Sequence, residues 1–125
     1  MAPKLIDLEL IDAPEELRAP ALAALAAAGV KDGHLAVQLV DAERIRALNR
    51  EHRARDAATD VLSFPVDEAG PVVEPRELGD VVICPEHTDD LIEAVVHGVL
   101  HLCGHDHETD GGEMLALQAC VLEAL

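Results

Sequence analysis

Three histidines in the second half of the chain have a spacing that suits a metal ion. His97 and His101 are four residues apart, so on a helix both imidazoles leave the same face and converge on one cation. Gly104 predicts the end of that helix, because glycine readily takes the left-handed conformation that helix C-termini favour. The reversed chain would then bring His107 to the same ion. Three protein ligands plus a water molecule are typical of catalytic zinc, so the spacing predicts one zinc ion (Zn2+) per chain.

The same spacing occurs in the metzincin proteases, with one difference that concerns the reaction. Those enzymes place a glutamate directly after the first histidine, where it acts as general base in peptide hydrolysis. The corresponding residue here is Gly98. A metal site without this base favours a different hydrolysis. The alternative, a helix whose histidines merely lie on its face, is disfavoured by three histidines at this spacing around a glycine.

The composition predicts one domain with an aliphatic core. The 125 residues include no tryptophan or tyrosine and one phenylalanine, and half of them are hydrophobic, so Leu, Val, Ile and Ala must fill the core. No signal peptide or membrane anchor is visible, and three cysteines without a CxxC pair suit reduced, buried thiols. We therefore expect a single domain, residues 1–125, in the cytoplasm and without a membrane partner.

The charge distribution disfavours general nucleic-acid binding but leaves one basic surface. The formal net charge is -16, and an acidic surface repels a polyanion. A basic face on such a body can still guide a phosphate to a single site. Five of the nine basic residues lie close together in the sequence, namely Arg44, Arg46, Arg50, Arg53 and Arg55. The alternative is that these arginines solvate an exposed helix face and pair with Glu43, Glu51 and Asp56.

Strands and helices alternate along the chain. Strands are predicted at residues 4–11, 35–40, 60–64 and 80–84. Helices are predicted at 12–29, at 42–54 with Asp41 as its cap, from Pro85 through the histidine pair, and from about residue 110. Residues 65–78 are expected to form a loop. The pattern predicts an α+β fold with α/β-like alternation, in which one small mixed four-stranded sheet packs with four to five helices and the metal site lies on a buried C-terminal helix.

Helical periodicity also predicts which residues face the core. On the helix at 42–54, one inward face comprises Ile45, Leu48, Asn49 and His52, and the amide of Asn49 is expected to be a hydrogen-bonding anchor. On the last helix, the inward residues are Met114, Leu117 and Val121. Asp60 and Asp80 lie beside apolar strands, where a carboxylate either orients a ligand histidine or caps a loop.

Four sequence blocks, in order, resemble the YbeY-type endoribonucleases, a family of ribosomal RNA maturation factors. The blocks are Leu48-Asn49 followed by Arg53, TDVLSFP at 59–65, GDVVIC at 79–84, and the histidine run at 97–107. The combination of TDVLSFP with HGxLHLxGxDH is highly specific. The resemblance implies a single-domain, metal-dependent hydrolase, usually containing zinc. It also implies that His97, His101 and His107 are the ligands and that Arg53 is the essential basic residue near the metal.

The resemblance further implies a substrate. Members of the family are implicated in maturation of the 3′ end of the small-subunit (16S) ribosomal RNA and in ribosome quality control. We therefore expect single-stranded ribosomal RNA as substrate, the small ribosomal subunit or its proteins as partners, and no DNA. Candidate substrate-binding residues are Arg50, Arg55, Ser63 and His105. The family commonly has tyrosine at the position of His105, a departure that leaves the metal ligands intact.

Two other functions fit parts of the sequence. A metal-dependent hydrolase of peptides or small molecules is favoured by the histidine spacing and the acidic surface, and is disfavoured by Gly98. A non-catalytic ribosome assembly protein would use the metal only to fix its fold and would bind basic ribosomal proteins through its acidic body. A zinc ion on three neutral histidines, beside an arginine that holds two phosphoryl oxygens, suits phosphodiester hydrolysis.

Overall fold

The computed structural model describes residues 6–54, 56–65, 77–104 and 111–125, and of Arg53 it describes the backbone only. These residues form β1 (Ile6–Ile11), α1 (Arg18–Ala27), β2 (Gly33–Leu39), α2 (Ala42–Arg53), β3 (Val61–Pro65), β4 (Glu77–Ile83), α3 (Leu91–Leu102) and α4 (Glu113–Ala124). Short 3-10 turns at Glu15–Leu17 and Pro85–His87 precede α1 and α3. The predicted α+β class is therefore confirmed.

The strands that the structure describes form one mixed sheet in the order β1-β2-β4-β3. β1, β2 and β4 are parallel, whereas β3 pairs antiparallel with β4 and forms an edge of this sheet. Side chains alternate along a strand, so Val61 and Ser63 of β3 lie on one face of the sheet and Leu62 and Phe64 lie on the other.

The helices divide between the two faces of the sheet. α1, α3 and α4 pack on one face around the larger core, which includes the fully buried Val81 and Val99. α2 packs on the other face, where Ile45 contacts a smaller cluster with Leu62 and Val82. The sheet therefore separates the arginine-rich helix α2 from the histidine-bearing helix α3.

Polar caps determine where α2 and α3 begin. Asp41 and Asp90 each accept a hydrogen bond from the backbone N–H three residues later, at 2.7 and 3.1 Å. The cap at Asp41 was predicted, but the prediction that Pro85 opens the histidine helix is wrong. Pro85 starts a separate 3-10 turn, and the extended residue Thr88 lies between this turn and α3.

Left-handed residues follow three of the helices. Gly29 has φ 81° after α1 and Gly104 has φ 98° after α3, as predicted for helix ends. α2 ends at Arg53, one residue before its predicted end, because Ala54 is itself left-handed, with φ 57°. The chain thus reverses directly after Arg53.

β4 begins at Glu77, three residues before the predicted strand start at 80. Its first residues pair with His34 and Leu35 of β2 across a register irregularity. Glu77 and Gly79 interrupt the apolar pattern, so hydropathy alone did not indicate this part of the strand. Most of the predicted loop, residues 66–76, lies outside the described residues, as does the predicted start of the last helix at 110.

The cysteines differ in burial. Cys84 is buried and Cys103 is half-buried, whereas Cys120 is exposed on α4, so the prediction of buried thiols is wrong for Cys120. Among the helices that the structure describes, none is long and apolar enough to cross a membrane.

Candidate metal centre

α3 presents the predicted histidine pair on its last two turns. The ring centroids of His97 and His101 are 4.9 Å apart, and the ring planes meet at 68°. Both residues are half-buried, while Gly98, Val99 and Leu100 between them are buried. The structure therefore brings these two predicted ligands together at the border of the core.

Gln118 of α4 orients the ring of His97. Its Oε1 accepts a hydrogen bond from His97 Nδ1 at 2.8 Å, and the residue is only 9% exposed. With the proton on Nδ1, the lone pair of the imidazole lies on Nε2. Histidines that bind metals commonly donate their other ring N–H to a protein oxygen, which fixes the tautomer and the ring orientation. The geometry at His97 therefore fits a metal ligand.

Sequence reasoning missed Gln118. The signal was present, because Gln118 lies four residues after Met114 and three before Val121, both of which are buried. It therefore occupies the inward face of α4, where a polar side chain needs a hydrogen-bond partner. The predicted inward residue Leu117 is half-buried, at the edge of the same face.

The third predicted ligand, His107, lies outside the described residues, as does His105. Gly104 supplies the expected reversal after α3, and its N–H donates to the carbonyl of His101 at 3.0 Å. Over residues 6–54, 56–65, 77–104 and 111–125, no group of three potential ligands is arranged to hold a metal ion. The three-histidine zinc site thus stays a prediction, with two of its members adjacent.

Packing accounts for the glycine that follows the first histidine. A Cβ atom at Gly98 would lie 2.6 Å from Val81 Cγ1 and 2.8 Å from Val61 Cγ2, closer than side chains tolerate. Ser63 Oγ also donates to the carbonyl of Gly98, at 2.6 Å. This position therefore faces the sheet at close range. A glutamate here would clash with β3 and β4, so the metzincin base has no room in this fold.

Asp60 and Asp80, each of which could orient a ligand histidine or cap a loop, have different surroundings in the structure. Asp60 Oδ1 accepts hydrogen bonds from the N–H of Val61 at 2.9 Å and from Thr59 Oγ1 at 3.3 Å, so it caps the start of β3. Asp80 lies on the sheet face that carries α2, opposite α3, and therefore does not orient His97. Partial burial, and then the charge of Glu77, raise the pKa of Asp80.

Two arginines of α2 have an acidic partner. Arg46 makes two hydrogen bonds to Asp56, at 2.7 and 3.2 Å, and Arg50 Nη1 lies 3.7 Å from the same carboxylate. The hydrogen bond from Arg46 holds the pKa of Asp56 below its usual value. Pairing with Asp56, one of the alternatives open from the sequence, is confirmed for both. The Arg53 side chain and all of Arg55 lie outside the described parts.

Asn49 anchors the turn that follows Arg53. Its side chain is buried, and Nδ2 donates to the carbonyl of Ala57 at 2.9 Å, while its backbone carbonyl accepts from the N–H of Ala54. The prediction that Asn49 faces inward as an anchor is confirmed. His52, predicted on the same face, is exposed instead, and its ring lies 5.0 Å from that of Phe64 in an edge-to-face arrangement.

The sheet order, the division of the helices between two faces and the histidine pair on α3 define a class: small α+β proteins with a histidine site on a buried helix. The family model for endoribonuclease YbeY matches residues 11–125, so the chain belongs to the YbeY family. The resemblance stated from the sequence blocks is thereby confirmed.

Individual relatives agree with the family match. The chain is 42% identical over 112 residues to endoribonuclease YbeY of Acinetobacter baylyi, covering 75% of this chain and 70% of that protein. It is 42% identical over 133 residues to endoribonuclease YbeY of Azorhizobium caulinodans, covering 93% and 84%. The solution structure of TM1509 from Thermotoga maritima is similar with a TM-score of 0.55 and 28% identity, over 95% of this chain and 87% of that one.

Proposed function

We propose that the chain is a zinc-dependent, single-strand endoribonuclease that acts in maturation of the 16S ribosomal RNA 3′ end and in ribosome quality control. Membership of the YbeY family makes the chain an endoribonuclease of ribosomal RNA processing, a hydrolase of phosphodiester bonds. Beyond this, we propose that the activity depends on zinc and that the cleavage site lies at the 16S 3′ end. We also propose that the small ribosomal subunit is the partner and that the protein is cytoplasmic. DNA and membranes are not proposed as partners.

The observation that carries zinc dependence is the arrangement of His97. Its ring lies 4.9 Å from that of His101, and Gln118 fixes the tautomer that leaves Nε2 as the basic nitrogen. A histidine pair one helical turn apart suits zinc, and His107 is proposed as the third ligand. A zinc ion held there would supply a Lewis acid that polarises a phosphoryl oxygen.

The chain's own residues have distinct proposed roles. Arg53 stabilises negative charge on the phosphoryl oxygens, since a guanidinium stays charged and binds two oxygens at once. Its place directly before the reversal at Ala54, which Asn49 anchors, holds its backbone in a fixed position. Arg50, Arg55, Ser63 and His105 are proposed to contact RNA. Ser63 has a second role, because its hydroxyl ties β3 to α3.

The test compares zinc-loaded and chelator-treated protein on two substrates, a single-stranded RNA that spans the 16S 3′ end and casein. We expect zinc-dependent cleavage of the RNA and intact casein. RNA cleavage that is equal with and without chelator would contradict zinc dependence. Cleavage of casein would favour a peptide hydrolase. Intact RNA under both conditions would favour the non-catalytic assembly protein.

A further inference from the structure

A groove of about 870 Å³ lies on the sheet face that carries α2. Its lining includes Gln38 of β2, Asp80 of β4 and Phe64 of β3, with Arg44 and His52 of α2 as the opposite wall. α3 lies on the other face of the sheet, so this groove is distinct from the histidine pair. Gln38, His52 and Phe64 have no part in the proposed metal site.

Aromatic character is concentrated in this groove. Phe64 is the single phenylalanine of a chain without tryptophan or tyrosine, and it is half-buried at the rim of the smaller core. The ring of His52 lies 5.0 Å from it in an edge-to-face arrangement, at 61°. Aromatic and histidine rings at a protein surface are the groups on which unpaired nucleobases stack.

Polar groups surround the ring in positions that suit the edge of a base. Asp80 lies directly opposite Phe64 in the antiparallel pairing of β3 and β4, so the carboxylate and the ring are neighbours on one face. A carboxylate accepts hydrogen bonds from the amino groups of bases. Gln38 adds an amide that both donates and accepts, and Arg44 adds a cation to the α2 wall.

We propose that this groove binds one nucleobase of the RNA substrate, stacked on Phe64, with an amino group of the base donating to Asp80 and Arg44 near a flanking phosphate. The proposal rests on RNA as the substrate of the family. It predicts preference for adenine, cytosine or guanine over uracil, which has no amino group. The site would hold the RNA strand in a fixed register.

The position of β3 connects the groove to the face that carries the histidines. β3 is an edge of the described sheet, and its consecutive residues Ser63 and Phe64 point to opposite faces. The hydroxyl of Ser63 reaches Gly98 of α3, and both Ser63 and Phe64 contribute to the lining of the groove. An RNA strand that crosses this edge therefore reaches the groove and the α3 side within neighbouring nucleotides.

The test is an NMR titration of the isotope-labelled, zinc-loaded protein with four nucleoside monophosphates, and with ribose 5-phosphate as a ligand without a base. We expect saturable shifts of the amide signals of Gln38, Phe64 and Asp80 with the nucleotides, weakest with uridine monophosphate, and none there with ribose 5-phosphate. Equal shifts with ribose 5-phosphate would show an anion site only. The absence of saturable shifts would overturn the proposal.

Two variants and a control locate the binding. Phe64→Leu should weaken nucleotide binding by about tenfold, because a stacking surface is lost. Asp80→Asn leaves the packing intact and should remove the preference against uridine monophosphate. Arg46→Gln, on the same helix as Arg44 but paired with Asp56, should bind as the unaltered protein does. Unchanged affinity in Phe64→Leu together with unchanged preference in Asp80→Asn would overturn the proposal.

The outcome is independent of the cleavage assay. Mononucleotides contain no internal phosphodiester bond, so an endonuclease does not consume them. Binding in the groove with no RNA cleavage would contradict the proposed zinc-dependent activity alone. Cleavage of RNA with no nucleotide binding in the groove would contradict this inference alone.

Discussion

His97 and Gln118 come from different helices, and one hydrogen bond joins them across the core. A buried amide in this position would be costly without its partner, since an unsatisfied polar group in an apolar core destabilises the fold. The interaction thus serves packing and ring orientation at once. It is the residue-level detail on which the proposed metal site depends most directly.

Replacing Gln118 by leucine should therefore lower zinc affinity. Leucine fills a similar volume in the core but has no acceptor for His97 Nδ1, and loss of such a partner commonly costs about 10- to 100-fold in metal affinity. Competition with a chromophoric chelator measures the dissociation constant. The control is Gln118→Glu, which keeps an acceptor oxygen and should retain most of the affinity. Equal zinc affinity in the leucine variant and the unaltered protein would show that the ring needs no support.

Arg53 and Arg50 should differ in kind when each is replaced by alanine. Arg53→Ala should leave zinc content and folding unchanged and reduce RNA cleavage by about 10²- to 10³-fold, as loss of one transition-state donor does. Arg50 already shares Asp56 with Arg46, so Arg50→Ala should affect RNA binding modestly. Single-turnover cleavage and elemental analysis measure both. Small, equal effects would instead indicate a solvated basic helix.

At the level of elements, α3 packs closely against the sheet because Gly98 has no side chain. Its neighbour in sequence, His97, faces α4, so the helix contacts the sheet on one side and presents the histidine on another. The spacing of the histidines predicted the second property. The first required knowledge of which strands lie under the helix, and no local pattern provides that.

Gly98→Ala should destabilise the protein. Helix propensity alone favours alanine over glycine by about 1 kcal/mol, whereas the added methyl group would meet Val81 and Val61 at 2.6 and 2.8 Å. Overpacking of this kind costs about 1–3 kcal/mol, so the net free energy of unfolding should fall or at best stay level. Urea denaturation followed by circular dichroism measures it. A clear gain in stability would show that α3 has room to move.

His34 links three strands through its two ring nitrogens. Nδ1 lies 3.0 Å from Glu77 of β4, and Nε2 lies 3.2 Å from Glu9 of β1. The hydrogen bond to Glu77 is the main cause that raises the pKa of His34. Other carboxylates on this face of the sheet are Asp7 and Asp80, and the charge of Asp7 adds to the same shift.

The raised pKa predicts a pH-dependent contribution to stability. A histidine with a higher pKa in the folded state stabilises the fold fully below its unfolded pKa, and this contribution is lost as the pH rises through the folded value. The free energy of unfolding of the unaltered protein should therefore exceed that of His34→Gln by more at about pH 5.5 than at about pH 8.5. Because the charge of His34 lowers the pKa of Asp80, this difference reports both groups together. A difference that is independent of pH would contradict the imidazolium link.

Across the whole molecule, an acidic body carries a short basic segment. The net charge of -16 opposes RNA over most of the surface, so attraction depends on the arginines near α2. Part of that positive charge is already balanced, because Asp56 pairs with Arg46 and Arg50. The molecule should therefore bind RNA through few phosphate contacts.

The salt dependence of RNA binding should report those contacts. For single strands, each phosphate contact contributes about 0.7 to the slope of log affinity against log salt concentration. Arg50→Gln and Arg55→Gln should each flatten the slope by up to about that amount. Arg18→Gln is the matched control, because Arg18 lies at the start of α1 and pairs with Glu15. A slope that falls equally with Arg18→Gln would indicate that only the net charge matters.

The sequence predicts features that depend on local patterns better than features that depend on contacts between distant residues. α2 and its cap at Asp41 were predicted because a local hydrogen bond and helical periodicity agree. The histidine pair was predicted because a four-residue spacing fixes geometry within one helix. Gln118, the close packing at Gly98 and the early start of β4 were missed, because each depends on a neighbour distant in sequence.

Because Gln118 follows His97 by 21 residues, the order of synthesis bears on when the site becomes complete. A nascent chain leaves the ribosome with α3 ahead of α4, and until α4 has emerged and folded, His97 lacks the acceptor that orients its ring. The proposed substrate is itself ribosomal RNA, so the chain is synthesised beside it. The orientation of the His97 ring therefore depends on α4 being folded, so the ring is fixed later than α3 itself can form.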